Sequence, residues 1–208
     1  MCFGFIFSVA VRMEGPTVHP DEFGFLINGQ VLLGHSEASV PTGSFYPAGY
    51  GLVTALGALL SGSIAGAYRF SLFFNLGCAL LTAWCAGLTA RRAFGASVNM
   101  SRLVGLLVLV MPGTLVSAMF SWPEILIRIA FLGLVMSVVS VARDTSSTKV
   151  MALGLYIGLL PGLHGRFTLL VPVMFLFFAW WAYEQIITKQ TAIASGVFTV
   201  GGYLAARA

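Results

Sequence analysis

Apolar runs separated by short polar connections dominate the chain, and the run lengths predict its elements. A helix needs about 20 apolar residues to cross about 30 Å of hydrocarbon. Six runs meet or approach that length: 70–90 (FSLFFNLGCALLTAWCAGLTA), 102–120 (RLVGLLVLVMPGTLVSAMF), 125–142 (ILIRIAFLGLVMSVVSVA), 146–163 (SSTKVMALGLYIGLLPGL), 167–183 (FTLLVPVMFLFFAWWAY) and 191–206 (TAIASGVFTVGGYLAA). Pro112, Pro161 and Pro172 fall inside these runs and are expected as kinks, which a membrane helix tolerates where neighbours satisfy the freed carbonyls. Two runs are short. Residues 2–11 (CFGFIFSVAV) are too few to cross and lack the basic leader of a signal peptide, so 1–12 reads as a clipped first helix. Residues 48–62 (AGYGLVTALGALLSG), Gly-rich and bounded by Pro47 and Gly62, are expected to lie at the interface or dip into it.

Polarity is concentrated in residues 12–47. Pro16 and Pro20 imply an extended entry, and Asp21-Glu22 mark a helix start with Asp21 as the N-cap. A helix of about 13 residues is expected to follow, ending near Gly34. Phe23, Leu26, Ile27 and Val31 share one face while Phe25 and Leu32 fall opposite, so this helix, too short to span, is expected along the membrane surface.

Composition strengthens the pattern. Of the 208 residues 58% are hydrophobic and 9% charged, against about 25% charge in soluble domains. The expected fold class is an all-α, polytopic transmembrane helical bundle forming one domain over 1–208. In this reading 13–69 is an outer loop with short interfacial helices and 70–208 holds six spans. The net charge of +4 is dispersed between apolar runs, which reads as a topology signal and excludes a nucleic-acid footprint. Cys2, Cys78 and Cys85 show neither disulfide nor zinc spacing.

Counting basic residues chooses between topologies, because positive charge accumulates in cytoplasmic loops. If 48–62 does not cross, the inner loops 91–102, 143–149 and 184–190 hold Arg91, Arg92, Arg102, Arg143, Lys149 and Lys189, six of the 11 basic residues. The outer side then receives Glu14, Asp21, Glu22, Glu37 and Glu124, five of the seven acidic ones. If 48–62 crossed, the bias would reverse. The sequon at Asn99 falls on the inner side and reads as a loop residue.

The same topology brings Asp21-Glu22, Glu124 of the turn SWPE, and His164 and Arg166 of LHGRF to the outer face. Each has a purely structural alternative. Asp21-Glu22 can compensate a helix dipole, worth about 0.3–2 kcal/mol. Glu124 can pair with Arg128 one turn on, and Arg166 can reach to the headgroups. Together they suggest chemistry at a lipid phosphate, in which a carboxylate takes a proton from an acceptor and a cation neutralises the departing phosphate. No GxGxxG after a strand, GxxxxGK[ST], HExxH or GxSxG motif is present. The glycines sit within hydrophobic helices, where close packing is their expected role.

The segment HPDEFGFLINGQVLLG (19–34) resembles the acidic segment in the first outer loop of GT-C-fold polytopic glycosyltransferases. These enzymes use polyprenyl-phosphate-linked sugars and include aminoarabinose and protein mannosyl transferases. Later features follow in the family's order: FYPAGYGLVTALGALLSGS (45–63), AYRFSLFFNLGCALL (67–81), ARRAFGA (90–96), VMPGTLVSAMFSWPEIL (110–126) and LHGRFTLLVP (163–172). The resemblance covers about residues 13–172. It implies Asp21 as the catalytic acidic residue, acting as base, with Glu22 beside it and Glu124 as the second acidic position. It also implies that His19, Tyr46, His164 and Arg166 lie toward the donor phosphate. The expected partners are the bilayer, a polyprenyl-phosphate-sugar donor and a glycan, lipid or protein acceptor. The expected location is the plasma membrane of a bacterium, as a multi-pass protein. No cofactor is required by the residues, while the family's relation to metal-dependent oligosaccharyltransferases allows a divalent metal. Such enzymes usually have more helices, so this chain corresponds to their N-terminal part. A transporter or flippase, or a polytopic subunit without chemistry, is the alternative.

Overall fold

In the computed structural model the described residues are 2–13, 15–16, 20–35 and 47–207. They are all-α. The helices are α1 (Cys2–Arg12), α2 (Pro20–Leu32), α3 (Gly51–Ser61), α4 (Ile64–Phe94), α5 (Val98–Val110), α6 (Pro112–Met119), α7 (Glu124–Arg143), α8 (Ser147–Leu163), α9 (Leu170–Tyr183) and α10 (Lys189–Ala205), with a 3-10 turn at Gly165–Leu169 before α9. Two compact units divide the chain, Met1–Ile129 and Ala130–Ala208.

Helix ends follow local chemistry. Ser63, Ser97 and Thr188 accept bonds from the amides of Gly66, Met100 and Thr191, capping α4, α5 and α10. Such caps satisfy otherwise orphaned donors. Gly62 and Gly95 stop α3 and α4 in the left-handed conformation, at φ 66° and 68°, which glycine adopts without steric penalty.

Among the described residues, three helical segments are long and apolar enough to cross a membrane: α4, α7 and Gly165–Tyr183. A fourth arises if α5 and α6, bent by 53° at their break, form one span. Pro112 at the start of α6 supplies the break, because it has no amide to continue the ladder. By length, α3 with its 11 residues reaches only about 16 Å and cannot span. Helix α8, with 17 residues, stands at the short limit of about 17–25.

In the first unit, α3 packs between α2 and α4, α5 folds back along α4, and α1 and α6 also rest on α4. The buried stripe of α4 is mostly small or polar, Ala67, Tyr68, Ser71, Asn75, Cys78, Ala79, Thr82, Ala83, Ala86 and Gly87, with Leu72 as its large aliphatic member. Large apolar side chains face outward instead, among them Leu80, Trp84, Leu52, Leu59 and Leu60. This inversion suits lipid, where apolar side chains lose nothing by facing outward and small residues let helices approach. In water so large an apolar surface would drive association.

In the second unit α8 and α10 cross most closely. Gly154, Gly158 and Gly162 lie one turn apart on α8, and a Cβ at Gly158 would stand 2.2 Å from the Thr199 carbonyl oxygen. Only hydrogen fits there. On the other side of α8, Val150, Leu153 and Ile157 build a core with Val141, Met174, Phe178, Trp181 and Ile187.

Four local expectations need correction. Helix α2 begins at Pro20, so Asp21 lies inside the first turn and is not its cap. The buried stripe of α2 is Glu22, Phe25, Leu26 and Gly29, while Phe23 and Val31 are exposed. A Cβ at Gly29 would come within 2.2 Å of Thr54 Oγ1, so close approach to α3, rather than apolar content, selects that face. The connection between α4 and α5 is only 95–97 rather than 91–102. Asn99 therefore sits in the first turn of α5 and not in a loop.

Candidate functional site

The first turn of α2 meets the turn before α7 at a buried carboxylate. Glu22 is fully buried, and its Oε1 accepts from the Tyr68 hydroxyl at 3.0 Å and from the Ser121 backbone amide at 2.7 Å. Tyr68 and Ser121 lie 46 and 99 residues away in sequence, so this one side chain joins α2, α4 and the SWPE turn.

Neighbouring polar groups hold the turn from α4. Asn75 Nδ2 donates to the carbonyls of Phe120 at 2.7 Å and Trp122 at 3.1 Å. Ser71 Oγ lies 2.7 Å from both the Tyr68 carbonyl and Ser121 Oγ. The Phe120 and Trp122 rings lean together at 4.8 Å, and Trp122 Nε1 donates back to the Ser117 carbonyl at 3.3 Å. Glu124 follows in the first turn of α7, half-buried. A carboxylate there is stabilised by the positive end of the helix dipole.

Tyr50 closes the cluster from the start of α3. Its ring meets Phe25 edge-on at 5.3 Å and is fully buried. Burial pushes its phenol above the ordinary value. The Tyr50 hydroxyl and Asn75 Oδ1 are buried without a hydrogen-bond partner. Such orphaned groups mark a site that tolerates unsatisfied polarity, at a cost of about 1–3 kcal/mol each.

Glu22 is thus an anchor enclosed by protein, whereas Asp21, its neighbour on the same turn, is half-buried and reaches the surface. The rigid bond of Glu22 to the Ser121 amide fixes the turn that carries Asp21 against the turn that leads to Glu124. Chemically the arrangement presents acceptor groups, Asp21 and Glu124, at one end of the α4 bundle. Among the described residues no three His, Cys, Asp or Glu side chains group closely enough to hold a metal ion.

His164 and Arg166 belong to the second unit. His164 ends α8, and its Nδ1 accepts from the Arg166 amide at 3.2 Å, shaping the 3-10 turn. Arg166 is exposed. His19 and Tyr46 lie outside the described residues. Arg128, offered above as a partner for Glu124, donates to Thr114 Oγ1 at 2.9 Å, bracing the start of α6.

Sequence reasoning missed Tyr50, Tyr68, Ser71, Asn75 and Ser121. A signal was present: Tyr68, Ser71 and Asn75 recur at helical spacing inside an apolar run, and polar residues so placed normally face protein.

No family model, curated protein or solved structure matches the chain. What the fold and the site define is an all-α protein with helices able to span a membrane and a buried polar nexus at one end of its first unit.

Proposed function

We propose that the chain is a GT-C-type membrane glycosyltransferase or a part of one. It would transfer a sugar from a polyprenyl-phosphate donor to an acceptor on the outer side of the plasma membrane. The observation that carries this reading is the 2.7 Å bond from the Ser121 amide to Glu22, which holds Asp21 and the Glu124 turn at the same end of the bundle. Asp21 takes the proton from an acceptor hydroxyl or amine as the acceptor attacks the anomeric carbon. The bond from that carbon to the phosphate oxygen breaks, and polyprenyl phosphate leaves with the electron pair. Glu124 orients the acceptor. His19, Tyr46, His164 and Arg166 are assigned to the donor phosphate by the resemblance alone.

The test is Asp21→Asn in the full-length protein, assayed in membranes for release of polyprenyl phosphate from a radiolabelled sugar donor. Transfer is expected to fall by about 10²–10⁴-fold, the usual contribution of a general base, with membrane insertion and melting unchanged. Undiminished transfer would overturn the assignment.

A transporter reading has one observation in its favour, the 53° break between α5 and α6 beside Arg128, since broken helices line transport paths. It predicts the reverse pattern, with Arg128→Gln blocking substrate movement and Asp21→Asn silent.

A further inference from the structure

The end of α4 distant from Glu22 forms a second, separate feature with α5. A groove of about 620 Å³ runs between the two helices. Its mouth is lined by Arg91 and Arg102, and its walls by Trp84, Leu88, Leu106 and Leu109. The groove exists because two glycines draw the helices together along one edge. A Cβ at Gly87 would come within 2.7 Å of the Ser101 carbonyl oxygen, and one at Gly105 within 2.9 Å of that of Ala83. Ser101 Oγ also donates to the Gly87 carbonyl at 2.6 Å. The backbones therefore touch there, while the long side chains beside them stand apart.

The charge at the mouth is one-sided. From Ala38 to Pro123 the sequence contains no Asp or Glu, so the α4–α5 hairpin offers its own arginines no carboxylate. Both Arg91 and Arg102 are exposed. Val98, which also lines the groove, begins α5, whose N-terminal dipole adds to the positive field. Beyond the arginines the walls are apolar. Trp84 lies about 10 Å further along α4 at 1.5 Å per residue and is 64% exposed. The occupant must be an anion at one end and a hydrocarbon at the other.

We infer that this groove binds an anionic phospholipid of the leaflet in contact with the α4–α5 connection. Its phosphate lies between Arg91 and Arg102, and one acyl chain lies along Leu88, Leu106 and Trp84. Guanidinium groups suit a phosphate because their planar donors match two of its oxygens at once. Basic clefts between membrane helices bind acidic headgroups on the same grounds.

The probe is phosphatidylglycerol against phosphatidylcholine, with lipids retained by the purified full chain counted by native mass spectrometry after extraction from mixed bilayers. The wild-type chain is expected to keep phosphatidylglycerol in preference. Arg91→Gln and Arg102→Gln should each weaken that preference about fivefold. Arg92→Gln removes the same charge from the next position, which does not line the groove, and should leave the preference in place. Leu106→Trp, which fills the groove and keeps both arginines, should lower retention of both lipids. Equal effects of Arg91→Gln and Arg92→Gln would reduce the feature to general surface charge and overturn the proposal. So would unchanged retention in Leu106→Trp, or no preference in the wild-type chain.

Discussion

Replacing Glu22 by alanine tests whether the buried nexus holds the first unit together. The substitution removes the acceptor of two buried donors, the Tyr68 hydroxyl and the Ser121 amide. Each donor left unsatisfied in a buried setting costs about 1–3 kcal/mol, giving about 2–6 kcal/mol in total. That is a large share of the about 5–15 kcal/mol that stabilises a typical domain. At about 2–4 °C per kcal/mol for a chain of this size, the apparent melting temperature should fall on the order of 10 °C. Tyr68→Phe deletes one donor together with its bond and leaves the amide satisfied, so its cost should be about 1 kcal/mol. The Glu22→Ala/Tyr68→Phe double variant should therefore cost less than the sum of the two, because the hydroxyl orphaned by the first change is absent in the second. The assay is thermal unfolding of the purified protein in one detergent, followed by intrinsic fluorescence. A midpoint for Glu22→Ala within about 2 °C of wild type, less than 1 kcal/mol on the same scale, would refute the claim that Glu22 is an anchor.

Three other outcomes follow from the geometry. Asn75→Ala, which removes the donor to the Phe120 and Trp122 carbonyls, should destabilise by about 1–3 kcal/mol. It should also raise protease sensitivity at the SWPE turn more than elsewhere; unaltered cleavage there would remove Asn75 from its positioning role. Gly158→Ala should force α8 from α10 and cost about 1–3 kcal/mol by thermal unfolding, while Gly201→Ala, with open space around its Cβ position, should melt like wild type. Asp144 is exposed, and its hydrogen bond with Lys149 at 2.5 Å holds its carboxyl below the ordinary value. A folded value below the unfolded one means that the pair's stabilisation is present above the unfolded pKa and is lost as pH falls through the folded one. Lys149→Ala should return the Asp144 titration toward the ordinary carboxylate value, read by carboxyl NMR, and an unmoved titration would contradict the pairing.

The sequence is most legible where one-dimensional regularities control structure. Low charge and long apolar runs required helices, because only internally hydrogen-bonded backbone is tolerated in hydrocarbon, and α4, α7 and α9 lie within or across the runs that predict them. Pro112 was legible as an interruption, although its 53° bend was not, since the angle depends on what braces it. Arg128 on Thr114 supplies such a brace, and that contact joins residues 14 apart. The α2 face was read wrongly for a similar reason: apolar content favoured Phe23 and Val31, while the close pass of Gly29 to Thr54 turned Glu22 inward.

By itself, then, the sequence determined the helical class, the long apolar segments that become α4, α7 and α9, the chain's punctuation at Pro112 and Gly62, and the choice of Asp21, Glu22 and Glu124 as candidate acids. These depend on residue type and local spacing. Among the described residues, three or four of the six expected spans are long and apolar enough to cross. Only the tertiary structure separated the roles of Asp21 and Glu22, adjacent in sequence yet one half-buried and the other fully enclosed. A helix turns about 100° per residue, so neighbours point apart, and which one faces protein is settled by a partner far along the chain. For Glu22 that partner is the Ser121 amide, 99 residues away, and no local pattern encodes a contact over that distance.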